Sequence, residues 1–241
     1  MPLTVLLATG DRDRRDVLGN ALRALQLRIV HATTGEEAVR THERMRPGLL
    51  LTATDLPDLH ALDLCRRIRR DSDIPLIVLV CGGVELDRIL ALELGADDVV
   101  AADCDPGELQ ERVKAALRRA SGVEPRRTPA EVLDFGTIVI RRSSGTLVMS
   151  GEARELTPME TELLWMLAEH AGEVVESEAL LESVWGYPPG VRTRTLDVHI
   201  GRLRRKLGED GRNPRHIITV RSVGYRFEPC PDEDDTGCTA A

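Results

Sequence analysis

The sequence contains few of the residues that build disulfide frameworks, metal centres or membrane spans. Its five cysteines are an odd number without a Cys-x-x-Cys pair, which argues against a disulfide framework and against a structural zinc site. No apolar run approaches the ~20 residues that cross a bilayer, and no signal-peptide pattern opens the chain. We therefore expect a cytoplasmic protein with no membrane segment.

Sequence motifs of catalysis are also missing. The chain has no Walker loop, no Gly-x-Gly-x-x-Gly, no cluster of metal ligands and no nucleophile beside a base. The triplet Thr9-Gly10-Asp11, after the first predicted strand, is only a weak sign of an enzyme that acts on a phosphorylated substrate. We predict that the protein is not an enzyme and that it uses no cofactor.

Aromatic residues are absent from the first half, since all six lie beyond residue 134. The two halves must therefore build different cores, and we expect two domains. The stretch 118–131 is charged and interrupted by Gly and Pro, which predicts a linker. The predicted boundaries are a first domain at 1–119, a linker at 120–131, a second domain at 132–228 and an acidic, disordered tail at 229–241.

The first half alternates short apolar runs with amphipathic stretches. The runs at 4–8, 27–30, 49–53, 75–80 and 98–100 predict strands, and the stretches between them have the spacing of one helix face. Apolar strands alternating with helices are typical of an α/β fold, in which a doubly wound parallel sheet carries helices on both sides. Ligands of such sheets bind at the carboxyl ends of the strands.

The second half predicts an α+β domain. Strand-like segments at 132–140 and 146–151 precede three helices, and 216–227 predicts a hairpin. The third helix, 192–208, buries one leucine-rich face and is expected to expose Arg194, Val198, Arg202 and Arg205 on the other. Ten basic residues against three acidic ones between 192 and 226 outweigh the net charge of −8 in this region. This pattern favours a helix in the major groove of DNA beside a hairpin on the minor groove or backbone.

Both halves resemble one protein family. Residues 3–119 resemble the receiver domain of bacterial response regulators, and ALELGADDVV followed by DPGELQERVKAALRR is similar to the OmpR/PhoB subfamily. Residues 132–228 resemble the winged helix-turn-helix domain of that subfamily through ELTPMETELLWMLAEHAGEVV, LLESVWGY, RTLDVHIGRLRRKLG and TVRSVGYRF. The resemblance implies a two-component transcriptional regulator that binds direct-repeat sites in double-stranded DNA, dimerises, and is switched by Mg²⁺-dependent phosphorylation of an aspartate.

The residues with which the family takes up phosphate do not match. The family uses an acid pair, an acceptor Asp, a Thr or Ser, and a Lys, because a carboxylate nucleophile needs Mg²⁺ and the transferred phosphoryl needs cationic and hydroxyl partners. At the positions that match these family residues, the sequence has Thr9, Gly10, Ala53, Val80 and Ala102. The nearest acids are Asp11 and Asp55. We predict an atypical receiver with a degenerate pocket, in which Asp55 and Asp58 are solvated turn acids and phosphorylation is not required.

Three other signals could control the protein. Asp55 is a displaced acid that could accept phosphate in place of Ala53. A small ligand could bind the less charged pocket lined by Thr9, Ala53, Val80 and Ala102. A disulfide between Cys81 and Cys104, beyond adjacent strands, would make the domain a redox sensor.

The resemblance also implies three sets of contact residues. The dimer set, on the fourth helix, fifth strand and fifth helix, is Arg88, Ile89, Leu92, Glu93, Asp97, Asp98, Arg112 and Lys114. The DNA set, with Arg202 as the main base reader, is Arg194, Thr195, Asp197, Val198, His199, Arg202, Arg204, Arg205, Arg221 and Tyr225. The set for RNA polymerase is Trp185, Gly186, Tyr187, Pro188 and Pro189. Gly201 stands where many family members carry Arg, and His199 also fits a partly buried, hydrogen-bonded histidine.

Overall fold

A computed structural model describes residues 3–82, 85–120, 131–209 and 212–229. Contacts divide the chain into two compact units, residues 1–121 and 122–241. Most of the predicted linker, 121–130, and the predicted tail from 230 onwards lie outside the described residues. No helix within the described ranges is long and apolar enough to cross a membrane.

The N-terminal unit is a five-stranded parallel sheet with the strand order β2-β1-β3-β4-β5. Its strands are β1 (Thr4–Ala8), β2 (Arg28–Ala32), β3 (Leu49–Ala53), β4 (Leu76–Val80) and β5 (Asp98–Ala101). Its helices are α1 (Arg12–Arg23), α2 (Gly35–Met45), α3 (Ala61–Asp71), α4 (Glu85–Glu93) and α5 (Pro106–Ala120). The predicted doubly wound α/β fold is confirmed. The strand order reverses between β1 and β3, and this point of an open α/β sheet is where ligands usually bind.

Short polar signals begin the helices around that point. The carboxylate of Asp11 caps α1 by accepting a 2.9 Å hydrogen bond from Arg14 N. The hydroxyl of Thr34 caps α2 by accepting from Glu37 N at 3.1 Å. Because these caps satisfy amide groups that the helix itself leaves unpaired, they fix where each helix starts after its strand.

The C-terminal unit combines two antiparallel sheets with three helices. Its strands are β6 (Val132–Asp134), β7 (Ile138–Arg141), β8 (Thr146–Met149), β9 (Glu152–Glu155), β10 (Val174–Glu176), β11 (Ile217–Val220) and β12 (Gly224–Phe227). Its helices are α6 (Pro158–Glu169), α7 (Ser177–Trp185) and α8 (Thr195–Lys206). The sheets have the orders β6-β7-β8-β9 and β10-β12-β11. The α+β prediction is confirmed, and Thr157 and Glu160 form a capping box at the start of α6.

Two details of the strand prediction were wrong. The segment 132–140 is not one strand, because a turn at Gly136, where φ is +80°, separates β6 from β7. The strands β9 and β10 were missed, since β9 is a largely exposed edge strand without apolar alternation and β10 has only three residues.

The two cores differ as the aromatic distribution indicated. The core around α1, α5 and one face of the parallel sheet is aliphatic. The core of the C-terminal unit contains all six aromatic residues, among them Trp165, Trp185 and Phe227 with 2% exposure or less. This core fixes α8 and the β11–β12 hairpin on the same domain, so both can present side chains to one ligand.

Candidate nucleic-acid interface and strand-end site

The carboxyl ends of β1, β3, β4 and β5 bring the residues of the predicted pocket to one edge of the sheet. Ala53 and Val80 are the last residues of β3 and β4, and they are 0% and 3% exposed. Thr9, after β1, is 1% exposed and donates its backbone N–H to Ala32 O. Three of the four side chains that were expected to line an emptied pocket are therefore packed in the interior. These three residues therefore do not line an open pocket at the surface.

Asp55 is held by three groups from the segment after β1. Its Oδ1 accepts hydrogen bonds from Thr9 Oγ1 at 3.2 Å and from Gly10 N at 3.3 Å. Its Oδ2 accepts from Thr9 Oγ1 at 3.3 Å and forms an ion pair with the guanidinium of Arg14. Both oxygens of the carboxylate are used within the chain, and Asp55 is not the solvated turn acid that the sequence indicated.

Asp58, the second acid of the β3–α3 loop, also has a structural role. Its Oδ1 and Oδ2 accept hydrogen bonds from Gly35 N at 2.6 Å and Glu36 N at 3.1 Å, at the N-terminus of α2. These two N–H groups lower the pKa of Asp58, because they stabilise its charged form. At the other end of the loop, Thr54 Oγ1 accepts from Cys81 N at 3.0 Å.

The two cysteines near the strand ends do not form a disulfide. Cys81 and Cys104 are free and half-buried against the aliphatic core. Burial, with a contribution from Glu108, raises the pKa of the Cys104 thiol to about 11, which leaves it protonated and weakly reactive at neutral pH. These observations do not favour the redox alternative.

Half of the predicted dimer set is buried within the chain. Leu92, Asp97, Asp98 and Arg112 are 2%, 1%, 4% and 8% exposed. Asp97 pairs with Arg69 and accepts from Leu76 N at 2.8 Å, while Asp98 pairs with Arg112 at 3.1 Å. Leu92 is therefore packed in the interior of the unit, and the three charged residues are engaged in ion pairs within it. The remaining members, Arg88, Ile89, Glu93 and Lys114, are half-buried or exposed.

Helix α8 packs its leucine-rich face on the core, but its outer surface differs from the prediction. Arg202 and Val198 are each only 8% exposed, and Thr195 and His199 are 1% and 0% exposed. The imidazole Nδ1 of His199 lies 2.8 Å from Thr195 O, and its ring stacks edge-on against Trp185. Arg202 lies close enough to the buried Glu160 to lower the pKa of that carboxyl. The expected exposure of Val198 and Arg202 was wrong, whereas the buried, hydrogen-bonded His199 agrees with the alternative given for it.

Two other basic residues of α8 form hydrogen bonds with neighbouring elements of the same domain. Arg204 Nη2 donates to Ile217 O at 2.6 Å and to Thr219 Oγ1 at 2.8 Å, which ties α8 to β11. Lys206 Nζ donates to Glu160 Oε2 at 2.7 Å. Arg205 is exposed, as are Arg194 and Asp197 at the start of the helix.

The hairpin β11–β12 forms a wing beside the first turn of α8. Its turn exposes Arg221, Ser222 and Val223. Tyr225 is 7% exposed, and its hydroxyl donates to Asp197 Oδ1 at 2.8 Å. Burial and this hydrogen bond raise the pKa of Tyr225, so the phenol stays neutral.

Between the wing, α7 and α8 lies a cleft of about 1180 Å³ whose lining includes Arg192, Asp197, Arg221 and Tyr225. Arg194 Nη1 binds the other oxygen of Asp197 at 3.0 Å. The lining thus contains the basic side chains Arg192 and Arg221 as well as the acids Glu176 and Glu178, while the one acid of α8 is compensated by Arg194 and Tyr225.

The loop after α7 is exposed only in part. Trp185 and Tyr187 are 1% and 2% exposed and anchor the loop in the aromatic core. Gly186, Pro188 and Pro189 are exposed. Of the five residues assigned to a polymerase contact, the two aromatic ones are therefore buried and the other three are accessible.

Sequence reasoning missed two residues that matter for these sites, Arg14 and Glu160. Arg14 lies three residues after Asp11, which places it on the first turn of α1 above the strand ends. That i, i+3 spacing after a capping acid is the signal that could have found it. The spacing of Thr157 and Glu160 indicates a capping box, but nothing in the local sequence indicates that Glu160 pairs with Lys206.

Comparison with known proteins finds family matches for both units. Residues 5–114 match the response regulator receiver domain, and residues 151–227 match the C-terminal domain of transcriptional regulatory proteins. The chain is 36% identical over 233 residues to the probable transcriptional regulator ycf27 of Guillardia theta, covering 95% of this chain and 92% of that protein. It is 36% identical over 225 residues to the DNA-binding response regulator MtrA of Mycolicibacterium smegmatis, covering 93% and 96%. The crystal structure of DrrB, a Thermotoga maritima OmpR/PhoB homolog, superposes with a TM-score of 0.51 at 29% identity, covering 95% of this chain and 100% of that one.

Proposed function

This chain belongs to the OmpR/PhoB family of response regulators, and from that premise we propose that it binds direct-repeat sites in DNA as a dimer whose formation needs no phosphorylation. Family membership makes it a DNA-binding transcriptional regulator. The finer statements, on the contact residues, the dimer and the signal, are proposals that the geometry supports.

The observation that carries the DNA interface is the set of exposed arginines on α8, on the segment just before it and on the wing. Arg205 on α8 and Arg221 on the wing are exposed on two elements that one core holds together, and Arg192 and Arg194 lie at the start of α8. We assign base reading in the major groove to Arg205 with Asp197, and backbone or minor-groove contact to Arg221, because a helix fits the major groove and a wing reaches beside it. Arg202 can read bases only if its side chain moves away from Glu160 when DNA binds.

Removing either exposed arginine should weaken DNA binding in a distinct way. We expect Arg205→Ala to lose roughly tenfold or more in affinity and to relax sequence preference, since one base contact is worth about 1–3 kcal/mol. Arg221→Ala should weaken binding to all sequences alike and reduce the slope of log K against log salt by about 1. Fluorescence anisotropy with a direct-repeat site selected from a random library, at several salt concentrations, measures both.

Two control variants separate local from global effects. Arg70→Ala removes the same charge from exposed α3 of the other unit and should leave affinity unchanged. Arg202→Ala should lower thermal stability rather than sequence preference. If Arg202→Ala loses more of the preference for the selected DNA sequence than Arg205→Ala does, Arg202 is the residue that reads the bases.

The proposal that the protein does not need phosphorylation rests on the residues at the carboxyl end of β3. The position that matches the acceptor is Ala53, a 0% exposed residue without a nucleophile. The nearest acid, Asp55, has both oxygens engaged by Thr9, Gly10 and Arg14, which lowers its availability as a nucleophile. Modification of Asp55 is the alternative that the next experiment decides.

We expect acetyl phosphate with Mg²⁺ to change neither the mass nor the DNA affinity of the protein. Light scattering across protein concentrations should give a monomer–dimer equilibrium whose midpoint is the same with and without acetyl phosphate. Intact-mass spectrometry of the same samples should show no added phosphate. A phosphate adduct that is present in the wild type and absent from Asp55→Ala would establish the alternative.

We propose that the accessible residues of the dimer set form the dimer contact, and that the accessible residues of the polymerase set contact RNA polymerase. Arg88, Ile89, Glu93 and Lys114 carry charge and a small apolar area on α4 and α5, where Lys114 and Glu111 already pair at 2.6 Å. Pro188 and Pro189 stiffen the exposed part of the loop after α7, which is the part that RNA polymerase could contact.

A further inference from the structure

Two carboxylates at the strand end of the N-terminal unit share one arginine. Arg14 Nη1 forms an ion pair with Asp55 Oδ2, and Arg14 Nη2 lies 3.8 Å from Asp11 Oδ2. Asp11 comes from the turn after β1 and Asp55 from the loop after β3, so the guanidinium joins the two segments on either side of the point where the strand order reverses. The side chains of Arg14 and Asp55 are about four-fifths buried, at 21% and 23% exposure.

The strand end does not fit the Mg²⁺ ion that the family's receivers use. Mg²⁺ requires near-octahedral oxygen ligands at about 2.0–2.1 Å and a site open to its waters. The positions that match the family's acid pair are Thr9 and Gly10, and a cationic side chain lies between the two remaining carboxylates. Within the described ranges, no group of three His, Cys, Asp or Glu residues is placed to hold a metal ion.

We infer that Arg14 takes the place of the divalent cation, an inference that rests on the proposed phosphorylation-independent function. A guanidinium offers a permanent positive charge and several N–H donors, so it can neutralise two carboxylates without recruiting an ion from solution. The positive charge that holds the strand-end loops together is then supplied by a side chain of the protein. The arrangement of these loops therefore does not vary with the concentration of Mg²⁺.

The packing of the two loops provides an independent reason for this arrangement. A Cβ atom on Gly10 would lie 2.8 Å from Asp55 O and 3.3 Å from Pro57 Cδ, so the two segments approach as closely as a glycine permits. Thr9 Oγ1 and Gly10 N add hydrogen bonds to the Asp55 carboxylate from the same side. A hydrated ion between these segments would have to separate them.

The test compares full-length wild type with Arg14→Met, Arg14→Lys and the double variant Arg14→Met/Asp55→Asn. Binding of Mn²⁺ is followed by the electron paramagnetic resonance signal of the free ion, with MgCl₂ as competitor and ionic strength held constant. We expect no stoichiometric Mn²⁺ binding to wild type or to Arg14→Lys. Arg14→Met should bind one Mn²⁺ per chain with a dissociation constant on the order of 1 mM, and the double variant should not.

Thermal unfolding in the same buffers supplies a second readout. Arg14→Met should lower the Tm of the N-terminal unit by about 5 °C, and saturating Mn²⁺ should restore most of that loss. If this variant does not stay folded, Arg14→Gln keeps N–H donors without the charge and gives the same comparison.

Two outcomes would overturn the inference. One is stoichiometric Mn²⁺ binding to wild type. The other is a folded Arg14→Met that binds no ion, which would make the ion pair a structural contact only. Phosphate labelling of wild type is a separate result, because it contradicts the proposed function whatever the Mn²⁺ data show.

Discussion

Replacing Gly224 with alanine should destabilise the C-terminal unit by about 3 kcal/mol or more and abolish DNA binding at ordinary temperatures. A Cβ atom at this position would lie 1.9 Å from Val175 O and 2.9 Å from Glu176 Cα. These are backbone atoms of the neighbouring strand β10, so no rotamer change can make room. The strand β12 would have to leave β10, and with it the wing would lose its support on α7.

Gly201→Ala is the matched control for that substitution. No atom lies within 4 Å of a Cβ built on Gly201, which is in the interior of α8. Alanine is favoured over glycine in a helix interior by roughly 0.5–1 kcal/mol, so this variant should be slightly more stable than wild type. Urea unfolding followed by tryptophan fluorescence reports on the C-terminal unit alone, because both tryptophans are there. Equal stabilities of the two variants would contradict the close approach of β12 to β10.

Replacing Lys206 with methionine should cost about 3 kcal/mol at neutral pH, since it leaves the buried Glu160 carboxylate without its cation. Glu160 is 2% exposed, and Lys206 Nζ donates to both Glu160 Oε2 and Glu155 O. Burial alone raises the pKa of Glu160. The charge and hydrogen bond of Lys206, with Thr157 N and Arg202, outweigh burial and lower it below its ordinary value.

The pH dependence of that loss has a definite sign. In wild type, the lowered pKa of Glu160 stabilises the fold above the ordinary glutamate pKa of ~4.3, and this contribution disappears as pH falls through the folded pKa. In Lys206→Met, burial without the cation raises the pKa of Glu160, so the variant should be least stable near pH 7. The difference in unfolding free energy between the two proteins should shrink between about pH 6 and pH 4. A difference that is constant with pH would assign the effect to lost packing of the lysine stem, and Glu160→Gln/Lys206→Met, in which no buried charge remains, provides that baseline.

Most elements of the N-terminal unit could be predicted from the sequence because β1, β3, β4 and β5 are buried on both faces, although the edge strand β2 is exposed or half-buried along most of its length. Such strands appear as continuous apolar runs, and all five were placed within a residue or two of the observed bounds. The strand β9 has the sequence EARE and could not be found in this way, since an exposed edge strand carries no apolar period. Pairing of β9 with β8 is decided by backbone hydrogen bonds between segments, and side-chain patterns do not report these.

The site residues were harder to predict for a different reason. Helical spacing correctly placed Leu196, Ile200 and Leu203 on the core face of α8. It could not show that Arg202 folds towards Glu160, because an arginine side chain is long enough to reach either side of its helix. The same limit applies to Asp98 and Arg112, whose alignment with an interface in relatives did not reveal that they pair within one chain.

The position of β1 in the sheet has a consequence for synthesis of the protein on the ribosome. This strand is made first, yet it lies in the interior of the sheet between β2 and β3, and its residues Val5, Leu6 and Leu7 are 0% exposed. Val5 and Leu7 share a core with Leu109 and Val113 of α5, the last helix of the unit. At about 5–20 residues per second, an apolar segment therefore leaves the ribosome several seconds before its covering helix is made. The segment that contains β1 is consequently the one on which we expect chaperones to act during translation.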